Sequence, residues 1–221
     1  MKEIPLILIG GGNSSIEIID LINDINKIES EQFIKIIGIL DNNKIIKKSI
    51  NGVKVIGKFS DIKLFKKEKF FINIFHKDNR FIRIKLIKKF KINTSRFMSI
   101  IHPNSLIGGK AKIGAGVSIY PGCNIYSSTS IGNFCNFMPN SSIAPHVKIE
   151  ENCFIGKDVI IAAGAKIKKN TYIGYNSSIL EKTVIEEGCR VMPHTIVNLK
   201  IKQKKMIIGG SPARVLFKEK I

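Results

Sequence analysis

From Ile101 onward an apolar residue recurs at every sixth position without a slip: Ile101, Ile107 and Ile113, on through Phe137 and Ile143, to Val191 and Val197, seventeen in succession. Four residues after each of the first sixteen stands a smaller one, beginning Ser105, Ala111, Val117, Cys123 and ending Cys189, Thr195. A large and a small side chain pointing inward from every hexapeptide predict a flat side of one hexapeptide, three of which close a triangular coil. Stacked at the strand spacing of about 4.8 Å, some six coils give a prism roughly 27 Å tall. A repeat of this regularity settles the fold of half the chain.

Upstream the period changes. PLILIG (5–10), FIKIIGILD (33–41), VKVIG (53–57) and FFINIF (70–75) read as strands. SSIEIIDLINDI, FSDIKLFKK and DNRFIRIKLIKKFK carry apolar residues at helical spacing. Alternating strands and helices predict a parallel α/β unit. The expected fold is an N-terminal α/β, Rossmann-like domain over 1–98 followed by a parallel β-helix of hexapeptide repeats over 99–221.

The formal charge of +19 ordinarily suggests nucleic acid. Here 31 of the 36 basic residues are lysines scattered among Ile, Asn and Phe, with no arginine stripe or stacking aromatics. A solvated lysine surface is expected, or a field that attracts phosphorylated small molecules, but no nucleic-acid partner. No apolar run reaches the roughly 18–20 residues of a membrane span. IPLILIGGG lacks a small-residue cleavage site, so a cytoplasmic protein is expected. All four cysteines fall at the small inward position of the repeat, which reads as free buried thiols and leaves no convergent set for a metal.

Gly10, Gly11 and Gly12 follow the first strand and precede the first helix, where amides and the helix dipole favour a phosphate. Asp41 closes the second strand, placed to accept hydrogen bonds from a ribose or base, with Asn42 beside it. A dinucleotide fingerprint wants glycine at Ser15. The loop therefore reads as a mononucleotide-sugar pocket, as a tight turn without a ligand, or as a nicotinamide site.

LILIGGGNSSIEIID, GILDNN, NGVKVIG, IIHPNSLIG, the hexapeptides and GGSPARVL together resemble the two-domain bacterial sugar acetyltransferases. These include enzymes of nucleotide-linked amino sugars and the sialic-acid O-acetyltransferase group. The resemblance implies a left-handed coil, a homotrimer, acetyl-CoA as co-substrate in a groove between subunits, no metal, and a nucleotide sugar (UDP-linked in many such enzymes) as partner, in polysaccharide biosynthesis. It assigns the sugar nucleotide to Gly10, Gly11, Gly12, Asp41 and Asn42, where the family's acidic pair is reduced to one acid. It assigns coenzyme A to Ala163, Gly174, Tyr175, Gly210, Pro212 and Arg214.

The family's catalytic histidine stands third in its hexapeptide, with an acid after it. Here Pro145 holds that place and His146 the next, while Phe154 holds the place of a second histidine. His146, on a backbone displaced by the proline, is the expected base. A base-free enzyme and a silent nucleotide-sugar-binding trimer remain the alternatives. A sugar amine, partly neutral near physiological pH, needs a base less than a hydroxyl does, so an amine acceptor is expected. His102 is expected to be structural, His76 exposed, and His194 to stand on another side of the prism.

Overall fold

A computed structural model describes residues 2–43, 48–74, 80–198 and 200–219; His76 and the last residues of the lysine-rich tail lie outside them. The chain divides into two compact units, Met1–Pro103 and Asn104–Ile221.

The first unit is built on a five-stranded sheet of β1 (Lys2–Ile9), β2 (Gln32–Leu40), β3 (Ser49–Ile50), β4 (Val53–Gly57) and β5 (Lys69–Ile72), in the order β3-β4-β2-β1-β5. β4, β2, β1 and β5 run parallel, while β3 and β4 form an antiparallel hairpin. Leu6, Ile7, Leu8 and Ile9 are fully buried, as expected of a central parallel strand covered on both faces. Helix α1 (Ser14–Ile28) buries Ile18, Ile19, Leu21, Ile22 and Ile25, a stripe at three- and four-residue spacing. Helix α2 (Arg80–Phe90) follows β5.

The Rossmann-like domain expected here is not what forms. Among the described residues α1 is the one α-helix that connects two strands of the sheet. β2 reaches β4 through the β3–β4 hairpin, and FSDIKL forms a six-residue 3-10 turn, Phe59–Leu64. Ile62 is the only buried residue of that turn, and Leu64 is exposed. One buried anchor cannot hold an amphipathic helix on the sheet, so the apolar spacing of FSDIKLFKK overstated it. The unit is a short α/β part.

In the second unit each hexapeptide contributes a two-residue strand, and the strands stack parallel in three sheets at a register of eighteen residues, as in Ile125↔Ile143↔Ile161↔Ile179↔Val197. The first face carries Leu106–Ile107, Asn124–Ile125, Ser142–Ile143, Ile160–Ile161, Ser178–Ile179 and Ile196–Val197. The second carries Lys112–Ile113, Ser130–Ile131, Lys148–Ile149, Lys166–Ile167 and Val184–Ile185. The third includes Ser118–Ile119, Asn136–Phe137, Phe154–Ile155, Tyr172–Ile173 and Arg190–Val191, and is extended by a hairpin of Met206–Gly209 and Arg214–Lys218. Stacked short parallel strands of this kind are consistent with a left-handed β-helix.

The small inward positions also satisfy the turns. Thr129 Oγ1 donates to the Ala144 carbonyl (3.0 Å), Cys135 Sγ to Glu150 (3.1 Å), Cys153 Sγ to Lys168 (3.2 Å) and Ser177 Oγ to Met192 (3.0 Å), each fifteen residues ahead. Buried carbonyls at the corners thereby find donors, which explains why Ser, Thr and Cys share that position. All four cysteines are free and buried. Burial, and then neighbouring Cys135, push the Cys153 thiol well above its ordinary value.

Candidate functional site

From Gly116 to His194 each corner of the coil carries one residue with positive φ, in period six: Gly122, Asn140, Asp158, Asn176 and His194 between the third and first faces; Ser128, His146, Gly164 and Lys182 between the first and second. His146 (φ 62°) thus occupies a turn slot that asparagine or glycine fills in most other coils. Most side chains carry a cost of about 1–2 kcal/mol there, while histidine, with Asn and Asp, is among the residues that enter this region more readily. Pro145 introduces no offset: Ala144 N–H donates to Ile161 O (2.9 Å), Gly164 N–H to Pro145 O (3.3 Å) and Lys148 N–H to Ala165 O (3.0 Å), in the same register as every other coil. The imidazole is presented by the turn itself, exposed and without a hydrogen-bond partner among the described residues.

Ala163 lies at the same corner one coil further on, its carbonyl accepting Lys182 N–H (3.0 Å). Gly174 and Tyr175 lie instead at the corner between the third and first faces, where Tyr175 O accepts His194 N–H (2.9 Å). A Cβ on Gly174 would stand 2.5 Å from Pro193 N, and one on Gly156 would stand 2.7 Å from the Tyr175 ring. Only glycine lets these turns stack so closely. Above them the hairpin closes a pocket of about 480 Å³ lined by Met192, Gly209, Gly210, Pro212, Arg214 and Leu216. Of the six residues assigned to coenzyme A, five therefore gather along one corner, while Ala163 stands with His146 at the other. Phe154 stacks on Tyr172 (4.8 Å between centroids, 6° between planes) on the third face; burial and then the adjacent Tyr175 raise the Tyr172 phenol above its ordinary value.

In the first unit Gly10 (φ 106°) turns the chain out of β1. Asp41 is turned toward the protein: its Oδ2 accepts Gly11 N–H (2.5 Å) and its Oδ1 accepts Asn43 N–H (2.6 Å). Asn42 Oδ1 accepts Phe59 N–H (2.9 Å). Both side chains tether loops, and the Gly11 amide is already taken. The N–H groups of Gly12, Asn13 and Ser14 have no acceptor among the described residues, and a Cβ on Gly12 would meet nothing within 4 Å. The space for an anion lies over Gly12 and the start of α1.

Asn73 was not anticipated from the sequence. Fully buried at the end of β5, it donates through Nδ2 to Gly10 O (2.9 Å) and Ser15 Oγ (2.7 Å), and Ser15 Oγ donates to Gly10 O (2.8 Å). Ser15, where a dinucleotide fingerprint has glycine, is a hydrogen-bonding anchor of the loop. The signal available was a lone asparagine in the apolar run FFINIF. His102 is buried and its Nε2 lies 3.0 Å from Asp24 Oδ2, a structural pairing. Among the described residues no group of three or more His, Cys, Asp and Glu is placed to hold a metal ion.

The family model for the GMPPB C-terminal domain matches residues 96–207. No curated protein sequence matches the chain. In fold it is similar to a variant of the perosamine N-acetyltransferase of Caulobacter crescentus, solved with CoA and GDP-perosamine (TM-score 0.82, 19% identity, 97% of each chain covered). It is also similar to the acetyltransferase domain of PglB from Neisseria gonorrhoeae (TM-score 0.81, 16% identity, 96% of this chain and 99% of that one). A third likeness is WeeI from Acinetobacter baumannii (TM-score 0.65, 20% identity, 97% of this chain and 100% of that one). At these identities the likeness is one of fold.

Proposed function

The chain belongs to the GMPPB C-terminal domain family through residues 96–207, and from that premise we propose that it is an acetyl-CoA-dependent acetyltransferase acting on a nucleotide-linked amino sugar. The observation that carries the reading is the pairing of two features within one chain. One is a glycine loop with unclaimed amides at a helix start; the other is a coil whose stacked corner glycines lead to a pocket beside the terminal hairpin, lined by Gly209, Gly210, Pro212 and Arg214. The similar fold of an enzyme solved with CoA and GDP-perosamine supports it. The loop of Gly10, Gly11 and Gly12, held by Asp41 and Asn73, receives the diphosphate through the open amides of Gly12, Asn13 and Ser14. Gly174, Tyr175, Gly210, Pro212 and Arg214 hold coenzyme A, with Ala163 meeting it from the opposite corner.

The active assembly is a homotrimer that packs first faces around a three-fold axis. That face carries no charged residue on its strands, and it exposes Leu106 (54%), Ile160 (54%) and Ile196 (41%). The second face presents Lys112, Lys148 and Lys166 in register. A chain of charge +19 approaches its own copies most easily through the uncharged face. Three first faces set inward bring the His146 corner of one copy beside the Gly174 corner of the next.

When bound, acetyl-CoA supplies an electrophilic thioester. His146 takes a proton from the sugar amine as the new N–C bond forms, and returns it to sulfur as the C–S bond breaks, so that the thiol leaves neutral. The reaction belongs to surface-polysaccharide synthesis in the cytoplasm; no helix among the described residues is long and apolar enough to cross a membrane. The test is thiol release from acetyl-CoA in the presence of GDP-, UDP- and dTDP-linked amino sugars. Release with an amino sugar and none with its hydroxyl counterpart is expected. Binding of the nucleotide sugars without release in any case would instead favour the silent binder, a reading that Pro145 and Phe154 at the two expected histidine places favour.

A further inference from the structure

His146 occupies the position where a neighbouring acid is expected, so its own coil gives it none. Glu150 and Glu151 lie beyond the next strand, with Glu150 engaged by Lys168 Nζ (2.9 Å) and by Lys169 N–H (3.1 Å). The missing carboxylate stands at the other edge of the uncharged face. Asp158 is the one acid among the positive-φ corner residues, and Asn140 Nδ2 donates to its Oδ1 (3.1 Å) one coil below. The Asp158 side chain is 38% exposed, and among the described residues its Oδ2 has Lys157 Nζ as its charged neighbour, at 3.9 Å.

Resting on the trimer and base readings above, we propose that Asp158 of the partner subunit positions the His146 imidazole, so that each site is shared by two copies. The corners meet at matching heights. Asn140 precedes His146 by six residues and Asp158 follows it by twelve, in a coil of eighteen. Along the prism axis Asn140 therefore lies about 1.6 Å to one side of His146 and Asp158 about 3.2 Å to the other, at about 4.8 Å per coil. A cyclic rotation about an axis parallel to the prism leaves heights unchanged. Placing first faces inward sets the His146 corner of one copy beside the Asn140–Asp158 corner of the next, at the level of this pair. Asn140 fixes the Asp158 carboxylate through one oxygen and leaves the other turned to a neighbour. His194, three coils above Asn140 on that same corner, is about 13 Å from His146 in height and takes no part.

Subunit mixing tests this. His146→Ala and Asp158→Ala chains, each with a different tag, are co-expressed, and oligomers carrying both tags are isolated. Each variant alone is expected to lose activity, by roughly 10²-fold or more. In a mixed trimer one of the three interfaces joins an intact His146 to an intact Asp158, so about a third of wild-type activity returns. Inactive single variants whose mixture stays inactive would overturn the shared site and leave the base reading standing. A fully active His146→Ala chain would overturn the base reading itself, and the proposal with it. Asp158→Asn, which keeps the left-handed turn, adds a readout that a structural role would not move. With the facing negative charge gone, the acid limb of the kcat profile should move to lower pH while both KM values hold. An unmoved limb counts against the proposal.

Discussion

A Cβ on Gly174 would stand 2.5 Å from the backbone of Pro193, whereas one on Gly12 would meet nothing within 4 Å. The two glycines mark how differently the two units use the same residue. In the coil each turn lies directly on the turn eighteen residues away, so identity at a corner is dictated by the neighbour above. In the sheet the loop after β1 is fixed from behind by Asp41, Ser15 and Asn73, and its outer side is left open. Close stacking explains Gly174 without a ligand. Stacking does not explain the open space at Gly12, which makes Gly12 the better evidence for binding.

Gly174→Val breaks that comparison most severely. Backbone cannot yield as a flexible side chain can, so the upper coils should lose about 3 kcal/mol or more of stability, with coenzyme A affinity lost alongside. Thermal unfolding followed with and without CoA checks it; a variant as stable as the parent would show that the corner tolerates a branched residue and that the glycine serves the ligand.

His146→Asn separates turn from chemistry. Asparagine suits positive φ better than histidine, so stability should hold or rise by a few tenths of a kcal/mol, while kcat falls roughly 10²- to 10⁴-fold. The loss should shrink at high pH, where the amine is neutral without help. Urea midpoints and single-turnover rates on the same samples decide it: full activity at every pH would reduce His146 to a turn residue.

The coil was legible because its period is a direct record of which side chains point inward, and the eighteen-residue register follows from six times three. The same period sets His146, Asn140 and Asp158 in turn slots. What it does not state is that a proline before the slot leaves the register intact, since tolerance of Pro145 depends on its missing N–H facing no acceptor in the coil below. The sheet was legible only as strands. Whether FSDIKLFKK becomes a helix depends on burial by a surface the local pattern does not contain, and the hairpin between β2 and β4 replaced a crossover. Asp41 was read as facing a ligand because an acid at a strand end permits that; its bond to Gly11 comes from a residue thirty positions away.

For the open loop the expected effects are smaller and specific. Gly12→Ala should leave stability within about 0.5 kcal/mol, yet raise the KM for the nucleotide sugar several-fold with that for acetyl-CoA unchanged. Asp41→Ala should do the same and also cost about 1.5–3 kcal/mol, because two backbone amides lose a charged acceptor. Equal rises in both KM values would place the defect in folding.

The smallest effect belongs to the charged second face, where Glu150 and Lys168 pair across adjacent coils at 2.9 Å beside a groove of about 510 Å³. Burial alone would raise the Glu150 carboxyl, but the bonds from Lys168 and the Lys169 amide outweigh it and hold the carboxyl below its ordinary value. A lowered folded pKa means that the pair's contribution is complete above the unfolded carboxylate value, about 4.3, and is lost as pH falls through the folded value. With 44% of its side chain exposed, Glu150 is largely screened, so the contribution stays below about 1 kcal/mol. Glu150→Gln should therefore lower the melting temperature by about one to three degrees at pH 7 and by progressively less as pH falls below about 4. A difference that persisted undiminished into acid would mean that Glu150 supports the coil through shape and backbone hydrogen bonding, as the glycine corners do, and not through its charge.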